Sequence, residues 1–155
     1  MVKNIQYWLM KSEPDTYSID DLESFGIDHW DGIRNYQVRN FFRDKMQIKD
    51  KAFFYHSNCK EPGIVGLMEI ASNAYPDHTA FIKGEKYFDS KSDPENPRWL
   101  MVDVKFKRKL RRTICLSELK SHKKLSNMRV VQRGNRLSIM EVSKQDWLYI
   151  LSLEK

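Results

Sequence analysis

The stretch Trp99-Leu100-Met101-Val102-Asp103-Val104-Lys105-Phe106 decides the fold class, because apolar and polar side chains alternate along it. Its even-numbered residues are all apolar and fall on one face, whereas Met101, Asp103 and Lys105 fall on the other. A period of two is typical of a β-strand that buries one face against a core. Such a strand needs partner strands elsewhere in the chain.

Three further segments predict strands. They are residues 6–10, 52–57 and 64–70, which are rich in apolar and aromatic side chains. The last two are separated by the turn-forming triplet Glu61-Pro62-Gly63. Two strands joined by such a turn predict a β-hairpin.

Three helices are also predicted. Ser18 opens the first, because Asp21 stands three residues later in a capping-box position, and Gly26 ends it. Residues 35–46 carry their large apolar side chains on one stripe, as an amphipathic helix does. A final helix begins near Ser143.

Strands interspersed with helices, without a regular strand-helix-strand repeat, predict an α+β fold. We expect a strongly bent mixed sheet or a small β-barrel, flanked by helices. The length of 155 residues suits one domain, so residues 1–155 are assigned to a single domain. We expect it to be a monomer.

The composition argues against several functional classes. Cys59 and Cys115 are far apart in the chain and match no metal-binding spacing. No apolar run approaches the ~18 residues of a membrane-spanning helix. The apolar stretch around Trp8 is followed at once by Lys11 and Glu13, unlike a signal peptide. We therefore expect a cytoplasmic protein that binds no metal, no organic cofactor and no membrane.

Basic residues are concentrated in one part of the chain. Residues 98–136 contain 13 of the 27 Lys and Arg residues but only 2 of the 21 Asp and Glu residues. The densest run is 105–112, where six of eight positions are basic. This asymmetry indicates a polyanionic partner. A strand edge kept basic to resist aggregation would give the same pattern.

Several sequence blocks, in order, resemble the EVE domain family. The chain opens with Tyr7-Trp8-Leu9-Met10-Lys11-Ser12-Glu13-Pro14, and Trp30-Asp31-Gly32-Ile33-Arg34-Asn35-Tyr36-Gln37 follows. Next come Phe53-Phe54-Tyr55-His56-Ser57-Asn58-Cys59 and Pro62-Gly63-Ile64-Val65-Gly66. Arg133-Gly134-Asn135-Arg136-Leu137-Ser138 closes the series. The similarity runs from about residue 7 to residue 153.

The resemblance implies a PUA-like fold and the recognition of a modified nucleobase in DNA or RNA, with a modified cytosine as one candidate. Such a role needs a flat apolar platform, groups that hydrogen-bond the base edge, and cations for the flanking phosphates. Trp30, beside the turn-like Asp31-Gly32, is the candidate platform. An aromatic side chain at this position also suits a core.

Seven residues are candidates for the base pocket. Three follow the first strand, where polar side chains lie at the rim of a sheet. Asn35 either caps a helix or reads a base edge, and Tyr75 is held extended by Pro76. The set is Trp30, Lys11, Ser12, Glu13, Asn35, Ser57 and Tyr75.

Ten residues are candidates for contact with the nucleic-acid backbone. They are basic or lie beside Gly134, where a glycine lets the main chain approach a ligand closely. The set is Arg34, Arg39, Lys107, Arg108, Arg111, Arg112, Arg133, Asn135, Arg136 and Ser138.

Two alternatives stay open. An enzyme acting on a base or nucleotide would use His56 or Glu13 as a general base, but no metal constellation, paired-carboxylate motif or Gly-rich phosphate loop accompanies them. A nucleophile next to His56 is disfavoured, because adjacent strand residues point to opposite faces. A protein-interaction module would use the basic face on an acidic partner. We therefore expect a binding protein that is not an enzyme.

Overall fold

The computed structural model describes residues 4–154, which form seven strands and four α-helices. The single-domain assignment also includes residues 1–3 and 155, which lie outside this range. The strands are β1 Tyr7–Ser12, β2 Ile27–Trp30, β3 Lys51–His56, β4 Gly63–Ile70, β5 Tyr75–Pro76, β6 Leu100–Cys115 and β7 Ile139–Val142. The helices are α1 Ile19–Phe25, α2 Tyr36–Asp44, α3 Leu116–Ser121 and α4 Lys144–Leu153.

The predicted helix starts are confirmed, because the capping side chains form their hydrogen bonds, whereas α2 ends at Asp44, two residues before the predicted end. The Asp21 backbone N–H donates to Ser18 Oγ at 3.1 Å, and the Ser18 N–H donates to the Asp21 carboxylate at 2.8 Å. Gly26 ends α1 at a φ of 77°, where a residue with a Cβ is strained. Asn35 caps α2 and Ser143 caps α4 through one side-chain hydrogen bond each, accepted from the N–H of Val38 and of Asp146.

The strands form one mixed sheet in the order β2-β6-β4-β3-β1-β7, with β5 paired to β6. Only β1 and β3 run parallel; the other pairs are antiparallel. Register shifts between β3 and β4 and between β4 and β6 mark bulges, which bend a sheet. The predicted α+β fold with a mixed sheet and flanking helices is confirmed, and the sheet is open rather than closed into a barrel.

The central strands are covered on both faces, which explains their nearly continuous apolar sequences. Trp8 and Phe54 face one core with the apolar residues of α1 and α2. Leu9 and Phe53 face a second core, where Trp147 of α4 stacks on Phe53 with ring centroids 4.0 Å apart. Two cores thus hold β1 and β3 rigidly, and with them the side chains at the ends of these strands.

Three strand predictions need correction. The alternating strand continues nine residues beyond Phe106, to Cys115, because its basic half keeps pairing with β4. No strand is predicted before the turn-like Asp31-Gly32, whereas Trp30 ends the short strand β2. Strand β7 was not predicted. Within residues 4–154, no helix is both long enough and apolar enough to cross a membrane.

Candidate functional site

The carboxyl ends of β1 and β3 reach the same edge of the sheet, because these neighbouring strands are parallel. The Ser57 N–H donates to the Ser12 carbonyl at 3.0 Å, which joins the two strand exits. The Lys11 N–H donates to the Ser138 carbonyl at 2.8 Å, which brings the segment before β7 to the same place. Four predicted site residues from three distant parts of the chain therefore meet at this edge.

An open cavity of about 590 Å³ lies at this edge, and we call it the edge cavity. Its volume falls in the range of about 300–1,000 Å³ that is typical of small-molecule sites. Residues 11–13, residues 28–33, Ser57 and residues 136–138 line most of it. The predicted pocket residues Lys11, Ser12, Glu13, Trp30 and Ser57 are thus brought together.

Trp30 belongs both to the core and to the cavity wall. Its ring meets Phe54 edge to face, with centroids 5.3 Å apart, and the residue is only 7% exposed. It also lines the edge cavity. The two interpretations drawn from the sequence therefore describe the same side chain, which packs on the core and presents a limited surface to the cavity.

A hydrogen-bonded network supports the polar wall. Tyr17 Oη donates to Asp28 Oδ2 at 2.7 Å, and Ser12 Oγ donates to the Tyr17 carbonyl at 2.6 Å. Burial and the hydrogen bond to Asp28 raise the pKa of Tyr17. The His29 N–H donates to Asp28 Oδ1 at 2.8 Å, so both Asp28 oxygens are occupied.

Asp31 is a cavity carboxylate with free acceptor capacity. Its Oδ2 lies 3.4 Å from His29 Nε2, and its own backbone N–H also donates to the carboxylate. The carboxylate is partly exposed at the cavity wall. Burial raises the pKa of Asp31 above its ordinary value of 3.8. Asp31 can therefore accept a hydrogen bond from a ligand in the cavity.

Tyr87 lines the cavity beside Gly32. Gly32 has a φ of 77°, and a Cβ built there would lie 2.5 Å from the Tyr87 ring. The Gly32 N–H donates to Asp77 Oδ2 at 2.9 Å. Arg34 donates to the Tyr87 carbonyl from Nε at 3.1 Å and to Asp77 from Nη1 at 3.1 Å. The Asp77 carboxylate, which is fully buried, thus fixes both the glycine turn and the tyrosine segment.

The cavity wall is balanced in charge. Three carboxylates and three cationic side chains line it. They are Glu13, Asp28, Asp31, Lys11, Lys86 and Arg136. Burial lowers the pKa of Lys11. A wall of this kind suits an uncharged ligand with donors and acceptors better than it suits a phosphate.

Two predicted pocket residues do not line the edge cavity. Asn35 uses its side-chain oxygen to accept the Val38 N–H at 3.0 Å, as a helix cap. Tyr75 donates from Oη to Asp103 Oδ1 at 2.5 Å, and its backbone pairs with β6. Both side chains are held within the fold.

Several predicted backbone contacts are occupied by protein partners. Arg34 holds Asp77 and Tyr87, as described above. Arg108 forms a two-point pair with Glu154, at 2.7 and 2.8 Å, and Arg112 forms one with Glu118, at 2.6 and 2.8 Å. Lys107 and Arg111 on the same strand are exposed. None of the basic residues of β6 lines the edge cavity.

Other predicted contacts shape the protein itself. Arg39 Nη1 donates to the Arg98 carbonyl at 3.2 Å, and its guanidinium lies 4.9 Å from the Tyr36 ring centroid. Asn135 donates to the Arg129 carbonyl at 2.9 Å and accepts the Leu137 N–H at 3.2 Å, so its amide stabilises the turn around Gly134. Arg133 and Arg136 extend from this turn and are exposed.

The sequence interpretation missed part of the site. Tyr17, His29 and Tyr87 line the edge cavity, yet none was a candidate. Tyr87 lies in a polar segment with no motif, and it reaches the cavity through Arg34 and Gly32, more than fifty residues earlier. The one available signal was Gly32, because a glycine next to an aromatic platform indicates close packing from outside the local sequence.

A family model described as the EVE domain matches residues 6–153. The chain belongs to the EVE domain family. Human thymocyte nuclear protein 1 is 46% identical over 99% of this chain and 76% of its own length. The predicted family assignment is confirmed, and with it the PUA-like character of the fold. That relative is named as a nuclear protein, so the cytoplasmic location of this chain stays a prediction.

Solved structures of relatives agree with this assignment. A crystal structure of a Pseudomonas syringae protein has a TM-score of 0.93 and 46% identity, covering 96% of this chain and 99% of that one. Human THYN1 protein in complex with 5-methylcytosine-containing DNA has a TM-score of 0.91 and 46% identity, covering 97% of this chain and 98% of that one.

Proposed function

We propose that this EVE domain binds nucleic acid and holds one modified cytosine base, such as 5-methylcytosine, in the edge cavity. The observation that carries the proposal is the charge-balanced cavity beside Trp30, at an edge where two strands end. Family membership and the human relative's complex with 5-methylcytosine-containing DNA support it. The base is uncharged, as the cavity requires, and its phosphates remain outside.

The cavity offers apolar surface and a hydrogen-bond acceptor for a flipped cytosine. Trp30, Ile33, Leu137 and Tyr87 give apolar surface for the ring and its methyl group. Asp31 accepts a hydrogen bond, and a carboxylate is the preferred acceptor for the exocyclic amino group of cytosine. Removing a base from its stack costs a few kcal/mol, which stacking and hydrogen bonds in a pocket offset.

Binding without turnover fits the environment of the two candidate general bases. His56 Nε2 accepts the Ile19 N–H at 3.1 Å, so its acceptor nitrogen is occupied. Burial lowers the pKa of His56 below its ordinary value. Glu13 lines the cavity, and its Oε1 accepts the Asn58 amide N–H at 2.7 Å. Incubating the protein with modified oligonucleotides and analysing them by mass spectrometry tests the enzyme alternative.

The test of base recognition is fluorescence polarisation with labelled oligonucleotides that carry one 5-methylcytosine, cytosine or thymine. DNA and RNA forms of each are compared, since the proposal covers both. We expect the 5-methylcytosine oligonucleotide to bind best. Equal binding of all three would refute base recognition and leave a general polyanion binder or a protein-interaction module.

A pair of matched tryptophan variants tests whether Trp30 contacts the bound base. Trp30→Phe keeps an aromatic core residue but reduces the cavity wall, and it should lower the preference for 5-methylcytosine. Trp147→Phe makes the same change in the opposite core, away from the cavity, and should leave the preference intact. A preference that survives Trp30→Phe and falls with Trp147→Phe would place the base elsewhere.

A further inference from the structure

A second depression adjoins the edge cavity. It has a volume of about 320 Å³ and is lined by Gln37 of α2 and by residues around the 3₁₀ turn Arg129–Val131 and the Gly134 turn. Arg136 and Leu137 line both this depression and the edge cavity. We call it the arginine groove, after Arg129, Arg133 and Arg136.

The arginine groove differs from the edge cavity in charge. Three arginines line it, and no Asp or Glu is among its lining residues. Within residues 4–154, the three guanidinium groups form no ion pair or hydrogen bond with the protein, and all three residues are exposed. An arginine fork without a partner is suited to bind a phosphate at two points.

The groove is a shaped feature of the fold. Gly134 turns the chain at a φ of 82°. Asn135 ties that turn to the 3₁₀ segment through the Arg129 carbonyl, at 2.9 Å. The side chains of Arg129 and Arg133 are therefore held on one short, braced segment, and Gln37 adds an amide from α2.

We infer that the arginine groove binds the phosphodiester next to the base held in the edge cavity. This inference rests on the proposed function, because it uses the base position as its reference. The two depressions share Arg136 and Leu137, so the groove lies directly beside the proposed base position. The dense basic run on β6 is a poorer candidate, since none of its residues lines the edge cavity or the groove and three of its six cations, Arg108, Lys109 and Arg112, are paired with carboxylates.

Two double variants with the same change in charge test the inference. Arg129→Ala with Arg133→Ala removes two cations from the groove. Lys107→Ala with Arg111→Ala removes two exposed cations from β6 and is the matched control. The groove variant should weaken binding to a 5-methylcytosine oligonucleotide by at least about tenfold, because two charge-assisted contacts are lost. The control should change affinity by less than about threefold.

The salt dependence gives a second measurement. On single-stranded DNA, each phosphate contact that is lost makes the slope of log K against log salt shallower by about 0.7. We expect the slope to become shallower by about 1.4 in the groove variant, which lacks two contacts, and to stay unchanged in the control. Equal losses in both variants would overturn the inference, because binding would then depend on total charge.

A neutral linkage in the DNA locates the phosphate. Methylphosphonate replaces the phosphodiester either directly beside the 5-methylcytosine or four nucleotides away. The adjacent replacement should weaken binding to the natural protein and have little further effect on the groove variant, as expected for a coupled pair. Additive losses from the adjacent linkage and the groove variant would also refute the inference.

Failure of the two proposals is distinguishable. The groove variant should lower affinity for 5-methylcytosine and cytosine oligonucleotides alike and keep their ratio, since phosphate contacts position and base contacts specify. If the natural protein shows no preference, the proposed function fails. If the preference is present and the groove variant binds like the natural protein, only the groove assignment fails.

Discussion

Replacing Arg34 by Ala should mainly lower the free energy of unfolding and should have a smaller effect on phosphate binding. The Arg34 guanidinium donates to Asp77, to the carbonyls of Ile33 and Tyr87, and lies 5.5 Å from the ring centroids of Tyr87 and Trp99. Its partner Asp77 is fully buried. The variant would leave that carboxylate without its cation.

The size of the loss in stability depends on the hydrogen bonds that Asp77 retains in the variant. Removing one partner of a buried ion pair costs about 3–5 kcal/mol. Asp77 retains hydrogen bonds from Gly32 N–H, Thr79 N–H and Thr79 Oγ, and the Arg34 side chain is 24% exposed, so the loss should be smaller. We expect a loss of about 2–3 kcal/mol in the free energy of unfolding. For a chain of this size that corresponds to about 5–10 °C in Tm.

The assay is thermal melting followed by circular dichroism, with Arg34→Lys and Arg39→Ala for comparison. Arg34→Lys should show most of the loss in Tm that Arg34→Ala shows, because an ammonium group cannot reproduce the planar fork of the guanidinium. Arg39→Ala should lose less, since the Arg39 guanidinium has no carboxylate partner within the described residues. A Tm within 1 °C of the natural protein, together with a shallower salt slope in binding, would show that Arg34 contacts phosphate instead.

The dependence of this loss on pH gives an independent check. Burial alone would raise the pKa of Asp77, but hydrogen bonds from Thr79, Gly32 and Arg34 outweigh it and hold the pKa below its ordinary value of 3.8. A depressed pKa in the folded state stabilises the protein above the unfolded pKa, and this contribution disappears as the pH falls through the folded value. The Tm difference between the natural protein and Arg34→Ala should therefore be full at pH 7 and shrink below about pH 4.

Three further predictions concern the cavity and the thiols. Gly32→Ala should lower Tm and 5-methylcytosine affinity more than Gly26→Ala, because both positions have a φ of 77° but only the first would press a Cβ into the tyrosine ring over the cavity. Asp31→Asn should reduce the preference for 5-methylcytosine over thymine by about tenfold in competition binding, since the two bases share the methyl group and differ at the amino group; an unchanged ratio would remove Asp31 from recognition. Cys59→Ser and Cys115→Ser should bind as the natural protein does, because the cysteines are free and only partly exposed; loss of binding by a folded variant in the same assay would revive a metal or enzyme role.

Local chemistry predicts the helices well, and it fails where a strand depends on a distant partner. Ser18 and Gly26 fix the ends of α1 through groups within the helix itself, so a single sequence is sufficient. Strand β2 has four residues and depends on a pairing in which Trp30 lies opposite Val102. A segment this short, paired with residues more than seventy positions away, gives no periodic signal of its own.

The same distinction applies to the edge cavity. Lys11, Ser12 and Ser57 were predictable, because they stand at the ends of recognisable strands: Lys11 and Ser12 end β1, and Ser57 follows β3. Tyr87 was not, since its position depends on the buried Asp77 and on Arg34. Asn35 was predicted either to cap a helix or to hydrogen-bond a base edge, and only the three-dimensional structure shows that its oxygen accepts the Val38 N–H.

Charge density in the sequence is a poor guide to where a polyanion binds, because it counts cations without their partners. The run 105–112 is the densest in the chain, yet Glu154, Glu118 and Asp20 reach it from other elements and pair with three of its cations. A cation already paired with a carboxylate must lose that partner before it binds phosphate, so its net gain is small. The three arginines around Gly134 are fewer, but no carboxylate lines their groove and one of them borders the edge cavity. Free cations next to the cavity, rather than the largest number of cations, should therefore determine the path of the nucleic-acid backbone.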